Sequence, residues 1–547
     1  MISRREFEMY LELVRRSEIH QTIEAALRAG TGGAPRQLAV DVFLTGALLT
    51  ATHKRTGVLT RVRETLVKDL ADQTKAAYNI RDKAGRDVTM RQLYYLVDRI
   101  ANLYEYQEAR CEKDVTVTER ARRQGEFESI LDRLVSSTSM HLPSEGSYAI
   151  DGSAIRSAAR RKGSNKQLKA ANEEPGPRRQ FCADMDARTG HQTETYDNGS
   201  DNYFGFALVA FTRAGTVGTN SPTLVDHMRL VPANSRGLTE TMEVIEGRSQ
   251  TGNPITEVLA DRAFTTSTID TWAKPLYDLG VKQVQDMHPS DGGARPDAAR
   301  GYVLIDGWPH AVGIPEHLIH ITPPPKASLP RLRKAATRVE KAEHAAAAFA
   351  LERFRELIAE RRTWAFEPLG AQTSAGSRRY ISPARAGKRR CAGYADSLYL
   401  DADTPECVHP PGQPVPKACR QATITVPFKF GLKLRQEHYW GSDEWLASYA
   451  RRSRVESTFG LLKSPNGGGV KRGWTGLTGL IRTAFMLAIQ VAACNLRTLL
   501  RWARATGFDA DPLVRVNLDD YGFLELGADG HPLPFDGDPP GAAAAAA

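Results

Sequence analysis

The chain has 547 residues, more than one ordinary hydrophobic core accommodates, so two to four domains are expected. Its 41% hydrophobic and 25% charged residues are ordinary for a soluble globular protein, and six cysteines over this length exclude a disulfide framework. Lys and Arg outnumber Asp and Glu by 73 to 64, a formal charge of +9, which permits a polyanionic partner without requiring one.

The N-terminus, MISRREFEMYLELVRR, is too charged for a signal peptide, so a cytoplasmic protein is expected. Residues 1–135 read as a helical domain, with an apolar run from Ala39 to Ala51 and a more charged one from Val58 to Leu70. A third run, Val88 to Tyr106, spaces Leu93, Val97, Ile100 and Leu103 for one helical face. His53, Lys54, Arg55, Arg61 and Arg63 form a basic cluster that suits either DNA binding or a solvated helical surface.

From 145 to 287 the texture changes to strands alternating with helices. Ser147-Tyr148-Ala149-Ile150 runs into Asp151, and Glu257-Val258-Leu259-Ala260 runs into Asp261. Strands are also expected at Gln180–Asp186, Phe204–Thr212 and Val281–Gln285, and helices at Leu238–Glu246 and 266–279. Three strands in succession, then a helix and a fourth strand, predict a mixed sheet flanked by helices, an α/β fold. Residues 288–440 are rich in Pro, Gly and basic side chains and carry one charged helix, roughly Leu329 to Arg362. They read as an insertion into the sheet domain, which resumes over 441–506. The stretch Leu480–Trp502 is apolar, but its Arg482, Gln490, Asn495, Arg497 and Arg501 favour a buried helix over a membrane span. Residues 507–547 form an acidic low-complexity tail.

The sharpest feature is the segment from Ser442 to Lys463. Ser442 is placed to cap a helix, Asp443 and Glu444 fall in its first turn, and Pro465-Asn466-Gly467-Gly468-Gly469 ends it. On one continuous helix Tyr449, Arg452, Glu456 and Lys463 would project within roughly 60° along about 20 Å. Val455, Phe459 and Leu462 would dock the helix beside them. A carboxylate ligates a metal, an Arg one turn away grips a phosphate, and a Lys supplies a charge further along a strand. The same residues also suit an ordinary amphipathic helix with Glu456 paired to Arg452. Asp151 and Asp261 likewise suit either metal ligands or turn and cap residues.

Read together, these segments resemble the DDE transposases of bacterial insertion sequences that carry a Tyr-Arg-Glu-Lys motif. The motif reads Tyr449-x2-Arg452-x3-Glu456-x6-Lys463, with YAIDGS around Asp151, YFGFALVAF further on and VLADRAF around Asp261. The gap from Asp261 to Glu456 is 456 − 261 = 195 residues, where such transposases often carry an insertion. The resemblance covers roughly 145–505 and implies a ribonuclease-H-like sheet domain. It implies that Asp151, Asp261 and Glu456 are the catalytic carboxylates, holding two Mg2+ (or Mn2+) ions. Tyr449, Arg452 and Lys463 would contact DNA phosphates. Family members carry a Tyr a few residues after the second Asp, where this chain has Phe264.

The implied activity is metal-dependent cleavage at the element's ends and strand transfer by transesterification. The partners would be terminal inverted repeats and target DNA, bound by at least a homodimer in the cytoplasm, associated with the nucleoid. A catalytically silent DNA-binding derivative and a ribonuclease-H-like nuclease without strand transfer are the alternatives.

Weaker signals remain. Asp184 and Asp186, two apart on an expected strand, read as solvated or turn residues rather than further ligands. Two basic groups, Arg156 to Lys169 and Arg378 to Arg390, suit a DNA backbone or a solvated loop equally. Cys391, Cys407, His409 and Cys419 fall within 29 residues. Without the usual close Cys pair they read as separate thiols rather than a structural zinc site. Trp440, Trp445 and Tyr439 read as core packing ahead of a base-holding role.

Overall fold

Hydrophobic faces on the N-terminal helices are buried against one side of a central sheet. The computed structural model describes residues 2–28, 36–107, 111, 115–140, 142, 144–160, 183–192, 201–265, 267–288, 290–297, 300–324, 336–373, 376–409, 412 and 414–507. The first helices among them are α1 (Arg4–Arg16), α2 (Ile19–Arg28), α3 (Val40–His53), α4 (Leu59–Lys68), α5 (Asp72–Ala77), α6 (Met90–Leu103) and α7 (Val117–Ser136). α6 starts where Thr89 and Gln92 form a reciprocal capping box, and its Leu93, Val97 and Ile100 are buried as their spacing predicts. The basic cluster of this region is largely matched internally. His53 meets Glu6, Lys54 meets Asp69, Arg61 meets Glu64, and Arg63 donates to the Val88 carbonyl.

The sheet domain follows as β1 (Ser147–Arg156), β2 (Arg188–Gln192), β3 (Asp201–Arg213), β4 (Val225–Pro232), α8 (Leu238–Gln250), β5 (Glu257–Ala260), α9 (Arg262–Thr265), a π-helical turn (Ile269–Ala273), α10 (Lys274–Asp278) and β6 (Lys282–Gln285). β1, β3 and β4 pair antiparallel, and β1, β5 and β6 pair parallel, which gives a mixed six-stranded sheet. β2 extends it along residues 201–205 of β3. Side chains alternate between faces along each strand. Ala149, Ile155, Phe206, Leu208, Leu259 and Val284 join the large core made with the N-terminal helices. Tyr148, Ile150, Val209, Phe211 and Val258 face the other way, onto Met242, Ile245, Trp272 and Leu276. Gly205 permits the close approach of β1 and β3, since a Cβ there would lie 2.1 Å from the Ile155 carbonyl oxygen.

The region after β6 adds two small antiparallel sheets. They are β7 (Ala294–Asp297), β8 (Tyr302–Ile305) and β9 (Trp308–Ala311), then β10 (Glu367–Leu369), β11 (Arg378–Ile381) and β12 (Ile424–Val426). Between them runs α11 (Arg338–Trp364), and α12 (Lys417–Arg420) precedes β12. α11 starts at a Thr337–Glu340 capping box, nine residues later than the charge pattern suggests; 325–335 lie outside the described residues. The chain then forms α13 (Asp443–Ala450), α14 (Ser453–Lys463) and α15 (Leu480–Thr506).

α15 is long and apolar enough to cross a membrane by length and composition, yet it packs as a core helix against α3 and α7. Its Asn495 accepts from the Val225 N–H (3.0 Å) and donates to the Val225 and Val135 carbonyls (2.7 and 3.2 Å), tying β4 and α7 to it.

Several expectations are corrected. The strand at Gln180–Asp186 does not form where the segment is described: 183, 185 and 186 are bends, 184 has no regular structure, and the edge strand is β2. Asp184 and Asp186 are not solvated. They are buried and accept from the Gly479 and Leu480 N–H groups at the start of α15 (3.1 and 2.8 Å). Orphan N–H groups at a helix start attract carboxylates, which explains two acids inside the protein. Asp186→Ala should therefore lower stability by about 1–2 kcal/mol, read as a drop in the unfolding midpoint; an unchanged midpoint would show the cap to be idle. The helix over 266–279 is broken into a π-helical turn and α10. β4 is missed by the sequence reading, although turn-rich stretches at 215–222 and 232–235 bound it. The tail, from residue 508, lies outside the described residues, as do Arg161, Lys162, Lys166 and Lys169.

Candidate active site

Parallel pairing of β1 with β5 ends at Ile150 opposite Ala260, and that of β5 with β6 ends at Ala260 opposite Gln285. The next residue on each strand is an aspartate: Asp151, Asp261 and Asp286. Period-two alternation puts them on the face of Ala149, Leu259 and Val284, the face on which α14 lies through Val455, Phe459 and Leu462. Asp151 is not at a strand end, as the sequence suggests. β1 continues to Arg156 paired with β3 alone, and Asp151 stands where its parallel neighbour falls away.

The continuous helix expected from 442 to 463 is two helices. Ser442 caps α13 as predicted, accepting from the Trp445 N–H at 3.2 Å. At Arg451 and Arg452 the chain tightens, with N–H bonds back to the carbonyls of Ser448 and Tyr449 three residues earlier. The cause is visible in the anchors of this junction. Arg451 pairs with Glu257 (2.8 Å) and donates to the Gly215 carbonyl (2.7 Å), and Arg454 donates to the Ser221 hydroxyl and carbonyl. The single column of four side chains is thereby divided. Tyr449 stays with α13, stacked on Trp445 at 4.9 Å with the rings 10° apart and packed on the core of the inserted region, while its phenol interacts with Arg452, Asp286 and Asp261. Arg452, Glu456 and Lys463 stay with α14. Lys463 is half-buried, and burial together with Arg156 pushes its ammonium below the ordinary lysine value.

The three candidate carboxylates converge on one guanidinium. Arg452 Nη2 lies 3.1 Å from Asp151 and 3.4 Å from Asp261, and Nη1 lies 2.5 Å from Glu456. Burial disfavours the Arg452 cation, but Tyr449 and the three acids outweigh it and raise its pKa. Its Nε is buried without a partner, so one donor remains unused. With the guanidinium between them, the acidic oxygens do not all fall within 4.8 Å of one another. All donors are oxygens, which fits a hard cation such as Mg2+ or Mn2+ once Arg452 turns aside.

Burial pushes the Asp151 carboxyl up to about 6, with Asp261 and Glu456 adding to the rise and Arg452 and the Gly152 N–H opposing it. A carboxyl raised on folding stabilises the fold fully below its unfolded value and loses that contribution as the pH climbs through about 6. Two units correspond to about 3 kcal/mol. Metal-free protein should thus lose thermal stability between about pH 4 and pH 7, and Asp151→Asn should flatten that slope. Identical slopes in the two proteins would refute the assignment.

Asp286 is a residue that sequence reasoning missed, although the strand Val281–Gln285 runs into it as the other strands run into their aspartates. Arg262 holds it through Nε and Nη2 at 2.8 and 2.5 Å, and the Met287 N–H donates to its other oxygen. Phe264 is buried against Trp272 (5.1 Å) and needs no hydroxyl. Trp440, Trp445 and Tyr439 are buried core residues, and the Tyr439 hydroxyl bonds Arg361 and His310. The basic side chains after β11 serve the fold. Lys388 pairs with Glu367, Arg390 with Glu406, and Arg389 stacks on Trp364. Beyond Asp151, at the far end of β1, Arg156, Arg160 and Arg472 line a cleft of about 280 Å³.

No protein-family model, no curated protein and no solved structure matches this chain.

Proposed function

We propose that this chain is a DDE transposase that cuts the ends of a mobile element and joins them to target DNA. One observation carries the reading. Asp151, Asp261 and Glu456, separated by 110 and 195 residues (261 − 151 and 456 − 261), meet at a single guanidinium on one face of the sheet. The strand order β4-β3-β1-β5-β6, with three antiparallel strands and two parallel ones, supports a ribonuclease-H-like domain. The inserted sheets between Asp261 and Glu456 agree with it.

When bound, two divalent ions activate water or a 3′-hydroxyl and stabilise the leaving oxygen in an in-line displacement at phosphorus. Asp151, Asp261 and Glu456 would hold these ions. Arg452, released from the acids, would turn its fork to the phosphate they bind, with its unused Nε as an extra donor. Lys463 and the Arg156–Arg160–Arg472 cleft continue the positive path along the strand. Arg262 keeps the Asp286 carboxylate oriented beside Asp261. Tyr449 would offer its hydroxyl to a phosphate oxygen while Trp445 fixes its ring. No covalent protein–DNA linkage is required, because water and the 3′-hydroxyl are the nucleophiles. Joining two ends in concert calls for at least a dimer on DNA. The N-terminal helices contribute less charge than their sequence suggests, because most of the basic cluster is paired internally.

The test uses purified protein, Mg2+, a target plasmid and labelled duplexes taken from the DNA flanking the coding region. Cleaved 3′-ends joined to the plasmid are expected. Cleavage without joining would indicate a nuclease, and binding alone a silent derivative. No binding, cleavage or joining of any flanking duplex would end the proposal.

A further inference from the structure

Between β11 and β12 the chain makes a 42-residue connection, 382–423, held by very little apolar surface. The strands themselves pair antiparallel, Tyr380 opposite Ile424, so the connection must leave and return to nearly the same place. Its described regular structure is a 3-10 turn, Ala395–Tyr399, and the four residues of α12. Its own core consists of Ala384, Cys391 and Cys419, edged by Tyr394, Cys407 and Val415. Leu398, Tyr399 and Val408 are exposed. A loop of this length without a sizeable core ordinarily needs a covalent or metal staple to be ordered.

Four soft donors lie at its centre. The Cys391 sulfur is 3.2 Å from His409 Nε2, and the donor atoms of Cys391, His409 and Cys419 all fall within 4.8 Å of one another. Cys407, half-buried, stands beside Cys391 at the edge of this cluster, its sulfur outside the 4.8 Å group of the other three. Cys391 and Cys419 are buried. The other His409 nitrogen, Nδ1, is buried with no partner, so the ring's polar contact is with sulfur. Thiols are weak hydrogen-bond partners, and the two crowded on the imidazole gain little from one another.

The missing close Cys pair, which in the sequence speaks against a metal, is replaced by backbone geometry. Arg390 and Glu406 form a bridge, with the Arg390 N–H donating to the Pro405 carbonyl (2.9 Å) and the Cys407 N–H to the Arg390 carbonyl (2.8 Å). Those two bonds set Cys391 beside Cys407 as a two-residue spacer would. α12 then brings Cys419 back to them.

We propose that Cys391, Cys407, His409 and Cys419 bind one zinc ion as a closed structural site. Three thiolates and an imidazole fill a tetrahedral shell and leave no position for a substrate, and the thiol protons pass to solvent on binding. The ion clasps the connection onto α11, where Arg389 stacks on Trp364 at 3.6 Å and donates to Thr363 and to the Glu406 carbonyl. This site stands apart from the carboxylate cluster in both place and chemistry, and it does not depend on the proposed activity.

The test is elemental analysis of the full chain purified without chelator from zinc-containing medium. About one zinc per chain is expected. Cys391→Ser and Cys419→Ser should lose it, whereas Cys494→Ser, in the α15 core, should keep it. If the first two variants fail to fold, the wild-type protein exchanged into cobalt still decides the matter. Intense thiolate-to-cobalt charge-transfer bands and strong tetrahedral visible bands are expected. Metal-free protein that folds normally, a cobalt spectrum without thiolate bands, or a disulfide among these cysteines in the purified protein would overturn the assignment.

Discussion

Glu456→Gln and Asp261→Asn should each lower Mg2+-dependent strand cleavage by at least about a thousandfold while leaving affinity for the same duplex essentially unchanged. On the proposed reading, each substitution removes one anionic metal ligand and keeps the side chain's shape. The lost quantity is transition-state charge stabilisation, worth several kcal/mol where a metal does the work. Neither residue is buried deeply: the Asp261 and Glu456 side chains are 38% and 55% exposed, so the fold should tolerate both changes. Arg452→Ala should behave differently. It removes the cation that pairs with all three acids and that, on the proposed reading, grips phosphate, so binding and cleavage should fall together. Single-turnover cleavage of pre-bound duplex, beside an electrophoretic binding series, separates the two patterns. Cleavage by Glu456→Gln at the wild-type rate would remove Glu456 from the chemistry, and with it the main support for the proposed function.

Much of this site is legible in the sequence because its parts obey local rules. An apolar run ending in an acid, twice, marks Asp151 and Asp261, and a capped helix with a docking stripe marks Glu456. Asp286 obeys the same rule, but Val281–Gln285 has polar residues at 282, 283 and 285 and draws less notice. The division of α13 from α14 is not legible, because Arg451, Arg452 and Arg454 are alike in the sequence. Only their partners distinguish them: Glu257 and Gly215 for the first, the acids for the second, Ser221 for the third. The same holds for Asp184 and Asp186. Their use as caps for a helix almost 300 residues later depends on where α15 begins in space, which no local pattern encodes. In the cysteine cluster, proximity is set by backbone bonds between 390 and 405–407, so ligand spacing is a poor guide to it.

Arg229→Met should cost about 3–5 kcal/mol of stability, more than any other single change argued from this fold. Arg229 lies on β4 and is buried. It meets Asp132 of α7 through both terminal nitrogens, at 2.8 and 3.1 Å, and its Nε is 3.0 Å from Glu128. His227 adds a second contact to Asp132 at 3.0 Å. Burial would raise the Asp132 carboxyl, but Arg229 and His227 reverse this and hold it at about 2. Glu128 is pushed up by burial, with Arg229 opposing. Removing the guanidinium leaves two acids in a space built for a cation, and the junction between the helical N-terminus and the sheet carries the cost. A depressed carboxyl contributes stability above its unfolded value and loses it only as the pH falls through about 2, so the wild-type network is intact at neutral pH. In the variant, burial acts on Asp132 with His227 still opposing it but without Arg229, and its pKa rises. The deficit should therefore be largest near neutrality and shrink toward about pH 4, as the acids protonate and need no counter-ion. Adding Asp132→Asn and Glu128→Gln to Arg229→Met should recover most of the loss at pH 7, since neutral groups can share the space. A deficit independent of pH, unrelieved by the triple variant, would mean that Arg229 acts through packing rather than charge.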